Sequence, residues 1–385
     1  MEWSFFLSTV VVLLWIGVYQ GLVLAPVLWF RKQGNIMANK LLSLLLLNTA
    51  FRILVTFPQF SDYPLISNYA ALFGLPFAFL YGPIYYLYLE AYIEKGFSLK
   101  GKYLFHFVLP IAALLFAIGI AIALPLDEMS FSERIRNRER IGGYVIIPII
   151  LASTIIFYFF RGIRLVHNYY KYVKEESSYA DPNYVRWLIS MLLVLTLPIT
   201  SVFFLGPLLG PPSEMVMPIP AVGASFMLIA LGIIALVNPT FLQGLPEKLK
   251  VDQIEDLIPQ KYQSSSLLED DKSRYHRQLL VCIEKERPYL DQELTLTDLS
   301  QKLNINTKYL SQIINEMEGK NFMDFINFYR IERAKELLPH PAYQHYTILA
   351  IAQEVGFKSK SAFYNAFKKF TQTTPTAYKA SMATA

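Results

Sequence analysis

Seven apolar stretches, near residues 4–29, 41–59, 69–92, 104–126, 142–164, 186–209 and 219–238, constrain this 385-residue chain more than any other feature. A bilayer core of about 30 Å takes about twenty mostly apolar residues of helix, and each stretch is of that order. With 54% hydrophobic residues and a mean hydropathy of +0.34, the chain is too apolar for a pair of water-soluble domains. The borders of the stretches carry Pro, Gly, Asn and charged residues, as helix ends do. The first stretch does not read as a cleavable signal peptide, because Glu2 stands where a positive region belongs and the apolar run is too long. The expected N-terminal part is therefore a polytopic seven-helix transmembrane bundle over residues 1–240.

Lysine and arginine in the short loops orient the bundle. The first loop holds Arg31, Lys32 and Lys40, the third Lys95, Lys100 and Lys102, and the fifth with its helix ends Arg161, Arg164, Lys171, Lys174 and Arg186. The second and sixth loops hold none. This places the N-terminus outside and the C-terminus in the cytoplasm. The run SERIRNRER at 132–140 puts four arginines on the outer side, where Asp127, Glu128, Glu133 and Glu139 offset them.

An ionisable group within a span invites a functional reading. Arg52 lies inside the second span, and the third brings Phe77, Tyr81 and Tyr85 to near-helical spacing and carries Pro76 and Pro83. Two readings stand: Arg52, Phe77, Tyr81 and Tyr85 form an outward-opening pocket for an anionic ligand, or Arg52 pairs internally and the rings pack. No phosphate-binding loop, nucleophile elbow or zinc motif occurs, so no enzyme activity and no cofactor are expected. The single Cys282 and five scattered histidines lack ligand spacing, so no metal site is expected either.

After Asn238 and Pro239 the composition changes. Residues 241–273 form an acidic linker with four Lys/Arg against seven Asp/Glu, whereas 274–385 carry fifteen against eleven. Within the linker, Leu249, Ile254, Leu257 and Ile258 suggest a short helix, and Ser266 a helix start running through Cys282 to Pro288. A helix, turn and helix pattern then occurs twice. In the first copy LTLTDLSQKL is capped by Thr295 or Thr297, the turn is 304–306, and the second helix turns Leu310, Ile313, Ile314 and Met317 inward before Gly319 closes it. In the second copy Gly356 permits the turn and Phe363, Phe367 and Phe370 anchor the second helix. Residues 322–338 read as an amphipathic helix joining the two copies. Helices of this kind enter the major groove, where amide, hydroxyl and cationic side chains match base edges. Leu310 and Phe363 are equivalent positions 53 residues apart, compatible with two recognition helices in groove turns about 34 Å apart.

The motifs LTLTDLSQKL, YLSQIIN, FINFYRIERAKELL and IAQEVGFKSKSAFYNAFKKF with TPTAYK resemble the DNA-binding domain of AraC/XylS-type regulators over about residues 274–380, leaving a tail at 381–385. The resemblance implies that Lys308, Ser311 and Gln312 of the first copy and Lys360, Ser361, Tyr364 and Asn365 of the second contact DNA, with Lys368 and Lys369 on phosphates. Gln372 departs from the family, which has Gly before the closing TP; a left-handed turn there would cost Gln roughly 1 kcal/mol. The expected function is a bacterial one-component regulator in the inner membrane, multi-pass, with a cytoplasmic all-helical double helix-turn-helix domain. Its expected partners are double-stranded DNA, membrane lipids, a small-molecule or envelope signal, RNA polymerase and a second copy of the chain as homodimer. The rival is a membrane transporter or lipid-modifying protein with a C-terminal regulatory or docking domain. Few charged relay residues and no evident inverted repeat speak against it.

Overall fold

Every regular element in the computed structural model is helical, and it describes residues 2–55, 64–123, 141–178, 219–237, 245, 250–251 and 269–383. Among these residues the only strand-like pairings are two isolated bridges. The chain divides into two compact units, one of Met1–Val166 with Arg186–Ile254 and one of His167–Val185 with Glu255–Ala385.

The first unit contains α1 (Glu2–Trp29), α2 (Ile36–Leu54), α3 (Pro64–Ile93), α4 (Val108–Ala123), the first part of α5 (Ile141–Glu176) and α6 (Ile219–Val237). A 3-10 segment, Gly101–Phe107, leads into α4. α2 packs against α1, α3 and α6, while α1 also meets α6 and α3 meets α4. The close approaches use small residues: a Cβ on Gly82 of α3 would overlap the Tyr158 ring of α5. Arg161 lies over the Tyr86 ring at 4.6 Å, and Tyr158 hydroxyl is 2.8 Å from His106 Nδ1, so α3, the 3-10 segment before α4 and α5 share one aromatic and polar junction. After α6 the chain returns to the end of α3, where Lys95 N–H donates to Val251 carbonyl at 2.8 Å and Val251 N–H to Ile93 carbonyl at 3.1 Å.

Five helices among the described residues are long and apolar enough to cross a membrane, not seven: Val11–Trp29, Ile36–Leu54, Asn68–Ile93, Gly101–Ala123 and Ile149–Glu176. The expected sixth stretch at 186–209 lies outside the described residues, and the seventh is the apolar helix α6, Ile219–Val237. The basic run at 132–140, the linker stripe of Leu249, Ile254, Leu257 and Ile258, and Ser266 also lie outside the described residues. A second difference concerns α5. The expected break near residue 164 does not occur, because Leu165, Val166, Tyr169 and Val173 continue a buried stripe at helical spacing, and the helix runs on to Glu176. Lys171 and Lys174, expected in a loop, stand on its last turns.

The second unit takes the end of α5 together with α7 (Glu269–Glu286), α8 (Leu296–Leu303), α9 (Thr307–Glu318), α10 (Phe322–Leu337), α11 (Ile348–Glu354), α12 (Lys360–Thr371) and α13 (Pro375–Ala383). It has two cores. Leu279, Cys282, Ile283, Leu299, Leu310 and Ile314 pack with Phe322, Phe325 and Ile326 from the first half of α10. Ile331, Ala334 and Leu337 from its second half pack with Ile351, Val355, Phe363 and Phe367. The joining helix was expected to bury a plain apolar face. It buries Asn327 and Arg330 as well, because the face passes from one core to the other at that point.

Candidate nucleic-acid interface

The two helix-turn-helix units begin with capped helices, which fixes where each turn falls. Thr295 accepts from Asp298 N–H at 3.1 Å while Asp298 accepts from Thr295 N–H at 3.0 Å, a reciprocal capping box at the start of α8. Asn306 caps α9, Asn321 α10, Thr347 α11 and Ser359 α12, each through a side-chain oxygen. Asn304 makes the first turn in the left-handed region at φ 51°. Gly356 makes the second at φ 97°, and a Cβ there would lie 2.5 Å from Tyr289 carbonyl and 2.9 Å from Arg330 Nε. Only glycine meets both demands.

α9 and α12 are the second helices of the two units. Leu310, Ile313 and Ile314 hold α9 to its core, and Phe363, Ala366 and Phe367 hold α12. Met317 was expected inward but is 40% exposed, since Gly319 ends α9 within a turn of it. On the opposite face Lys308 is exposed and Ser311 and Gln312 are half-exposed, with Gln312 Nε2 donating to Glu316 at 2.8 Å. Lys272 and His276 of α7 draw Glu316 and Glu318 aside at 2.9 Å and 2.7 Å. The lysine, with Gln312, holds the Glu316 carboxyl below its ordinary pKa.

On α12 the residues Lys360, Ser361, Asn365 and Lys368 are exposed and Tyr364 is half-exposed, so these five predicted contacts share one outer face. Tyr364 hydroxyl rests 3.0 Å from Thr376 hydroxyl, and Lys360 Nζ lies 5.4 Å from the Tyr364 ring centre. Lys369 is turned aside and bonds Asp324 of α10 at 2.7 Å. Gln372 closes α12 in the left-handed region at φ 59°, with its N–H on Lys368 carbonyl. The turn therefore keeps its geometry without the family's glycine.

Arg330 was not anticipated as a structural centre. It is fully buried, and its five N–H donors are all taken: Nε donates to Tyr289 carbonyl at 2.7 Å, Nη1 to Ser178 carbonyl at 2.8 Å and Asn327 at 3.4 Å, Nη2 to Asp291 carbonyl at 2.6 Å and Ser178 hydroxyl at 3.0 Å. Burial lowers its pKa to about 9, with Asp291 opposing, so it stays cationic at neutral pH. Its partners are mostly backbone carbonyls far along the chain. Such acceptors have no signature in a sequence.

The predicted membrane residues meet at the α2 and α3 contact. Arg52 Nη1 donates to Gly74 carbonyl at 2.9 Å, the Phe77 and Phe51 rings are 4.2 Å apart, Tyr81 lies beside Arg52 and Thr49, and Tyr85 is buried.

Residues 299–381 match the family model described as a helix-turn-helix domain, which is of the AraC type. An uncharacterized HTH-type transcriptional regulator of Staphylococcus aureus is 36% identical over 123 residues, 32% of this chain and 15% of that protein. An uncharacterized response regulatory protein of Staphylococcus epidermidis is 27% identical over 142 residues, 34% of this chain and 55% of that one. Among solved structures, the C-terminal domain of the two-component response regulator yesN from Fusobacterium nucleatum is 32% identical, with a TM-score of 0.22 over 29% of this chain and 98% of that one. The chain spans about 15% of the length of the staphylococcal HTH-type regulators that it matches.

Proposed function

We propose that this chain is a membrane-embedded one-component transcription regulator. It is embedded in the bacterial inner membrane with its N-terminus outside, senses a small-molecule or envelope signal through that half, and reads duplex DNA in the major groove through α9 and α12. The carrying observation is the union, in one chain, of five helices apolar enough to cross a bilayer with two capped helix-turn-helix units. Large apolar side chains such as Tyr19 (71% exposed), Phe105 (82%) and Ile122 (82%) face outward from the first unit, which suits lipid contact.

Each DNA-facing residue has a role set by its chemistry. Gln312, Ser311, Asn365, Ser361 and Tyr364 carry hydrogen-bonding groups suited to base edges. Lys308, Lys360 and Lys368 supply charge for phosphates, joined by Lys369 once it leaves Asp324, which positions the helices without reading sequence. A second copy of the chain would double a modest basic charge, and RNA polymerase is the partner through which a bound regulator acts. Footprinting of the full chain in lipid discs on duplex fragments from its own genome tests the reading. The expected result is protection of a preferred sequence over two neighbouring major-groove turns. Uniform protection of all fragments contradicts it.

A further inference from the structure

α5 is a single helix of 36 residues, Ile141–Glu176, which at about 1.5 Å per residue is longer than a bilayer core of about 30 Å. It starts in the first unit and ends in the second. Its last residues are built into the DNA-binding unit. Ser177 pairs antiparallel with Thr295. Ser178 N–H and hydroxyl donate to Leu294 carbonyl at 3.2 Å and 2.7 Å, and Ser178 accepts from both terminal nitrogens of Arg330. Glu176 carboxylate accepts from Thr297 N–H at 3.2 Å and Thr297 hydroxyl at 2.6 Å, satisfying a donor in the first turn of α8.

Arg330 makes this contact consequential for both units at once. The same guanidinium holds the 289–291 loop before α8 and lies 5.5 Å from the Phe357 ring in the second turn. The strap thus bears on the residue that joins the two halves of the reading surface. A cleft of about 230 Å³ beside it is walled by Tyr170 and Lys174 of α5 on one side and Asn365 and Lys369 of α12 on the other. The last turns of α5 therefore border the edge of the second recognition helix.

We propose that Glu176–Ser178 is an autoinhibitory docking strap, through which α5 holds the two recognition helices in a restrained arrangement of low DNA affinity, and that withdrawal of the strap frees them. This rests on the DNA-reading function proposed above.

The test uses the full chain in lipid discs with Cys282→Ala, so that the added pair Ser177→Cys and Thr295→Cys is alone. Opposed residues in an antiparallel pair have Cα atoms about 4.5–5.5 Å apart, within the range a disulfide spans. A duplex is selected from a random pool by the reduced protein, and its Kd is measured for reduced and oxidised forms. Oxidation is expected to weaken binding about tenfold, and reduction to restore it. Independently, Glu176→Gln with Ser178→Ala is expected to tighten binding at least threefold relative to the parent chain, a gain that mere loss of stability would not produce. Equal or tighter binding by the oxidised form, or failure of the pair to cross-link in native membranes, overturns the strap and leaves the regulator reading intact. A pool from which neither form enriches any sequence overturns the DNA-reading function, and the strap with it.

Discussion

The two helix-turn-helix units share one plan and differ in charge and in their closures. α9 carries one lysine and two glutamates, while α12 carries three lysines and no acid. α9 ends on Gly319 and α12 on Gln372, both left-handed. The turns differ in the opposite sense, with Asn304 in the first and Gly356 in the second. Crowding demands glycine only at the second turn: Gly356 is packed against Tyr289 carbonyl, whereas Gly319 has open space where a Cβ would stand. Under the proposed function both helices offer hydrogen-bonding groups to base edges, and α12 adds more charge for phosphates than α9.

The largest effect is expected at the crowded turn. Gly356→Ala should destabilise the second core by about 3 kcal/mol, from combined overlap and left-handed strain, whereas Asn304→Gly should change the first by less than about 1 kcal/mol. Hydrogen exchange of the α12 and α9 amides reads the two separately. Similar protection in both variants would erase the distinction. Next come the reading residues. Asn365→Ala and Gln312→Ala should each cost about 1–3 kcal/mol of DNA affinity and relax preference at one base pair, measured by competition with single-base variants of the selected duplex.

Lysine substitutions sharpen the charge contrast. Lys360→Ala or Lys368→Ala should lower the salt dependence of binding by about one unit of slope each, with little change in preferred sequence, while α9 has only Lys308 to lose. Gln372→Gly should stabilise α12 by about 1 kcal/mol by relieving its left-handed turn, whereas Gly319→Gln should cost α9 a similar amount. The smallest effect is a pH response at α9. The Lys272 and Gln312 contacts lower the Glu316 pKa. Their contribution is therefore present above the unfolded value of about 4.3 and is lost as pH falls through the lower folded value. The α9 stability difference between the parent chain and Glu316→Gln should shrink on acidification from about pH 6 to about pH 3.

The sequence revealed what depends on neighbours along the chain. Thr295 as a cap, the turns at 304–306 and Gly356, and the inward Leu310 and Phe363 all follow from spacing and turn chemistry, and the structure places them so. The strain foreseen at Gln372 is present as a positive φ. Other features escaped because they rest on distant partners. Arg330 and Ser178 are 152 residues apart and meet largely through backbone atoms, which any residue possesses. The continuation of α5 was hidden by its mixed charge, since Lys171 and Lys174 read as loop residues while Tyr169 and Val173 on the same turns are buried. The expected count of seven spans came from apolar length alone. Among the described residues five helices meet that standard.

The central proposal is one chain that is anchored in a membrane and reads specific DNA. Cross-linking in intact cells, followed by isolation of the washed membrane fraction and sequencing of the DNA held by the full chain, tests this most directly. The predicted result is a small set of enriched sites sharing a sequence that spans two neighbouring major-groove turns, lost in Asn365→Ala while the protein stays in the membrane. Membrane-bound protein with no enriched sequence, or enrichment carried only by protein outside the membrane, would contradict it.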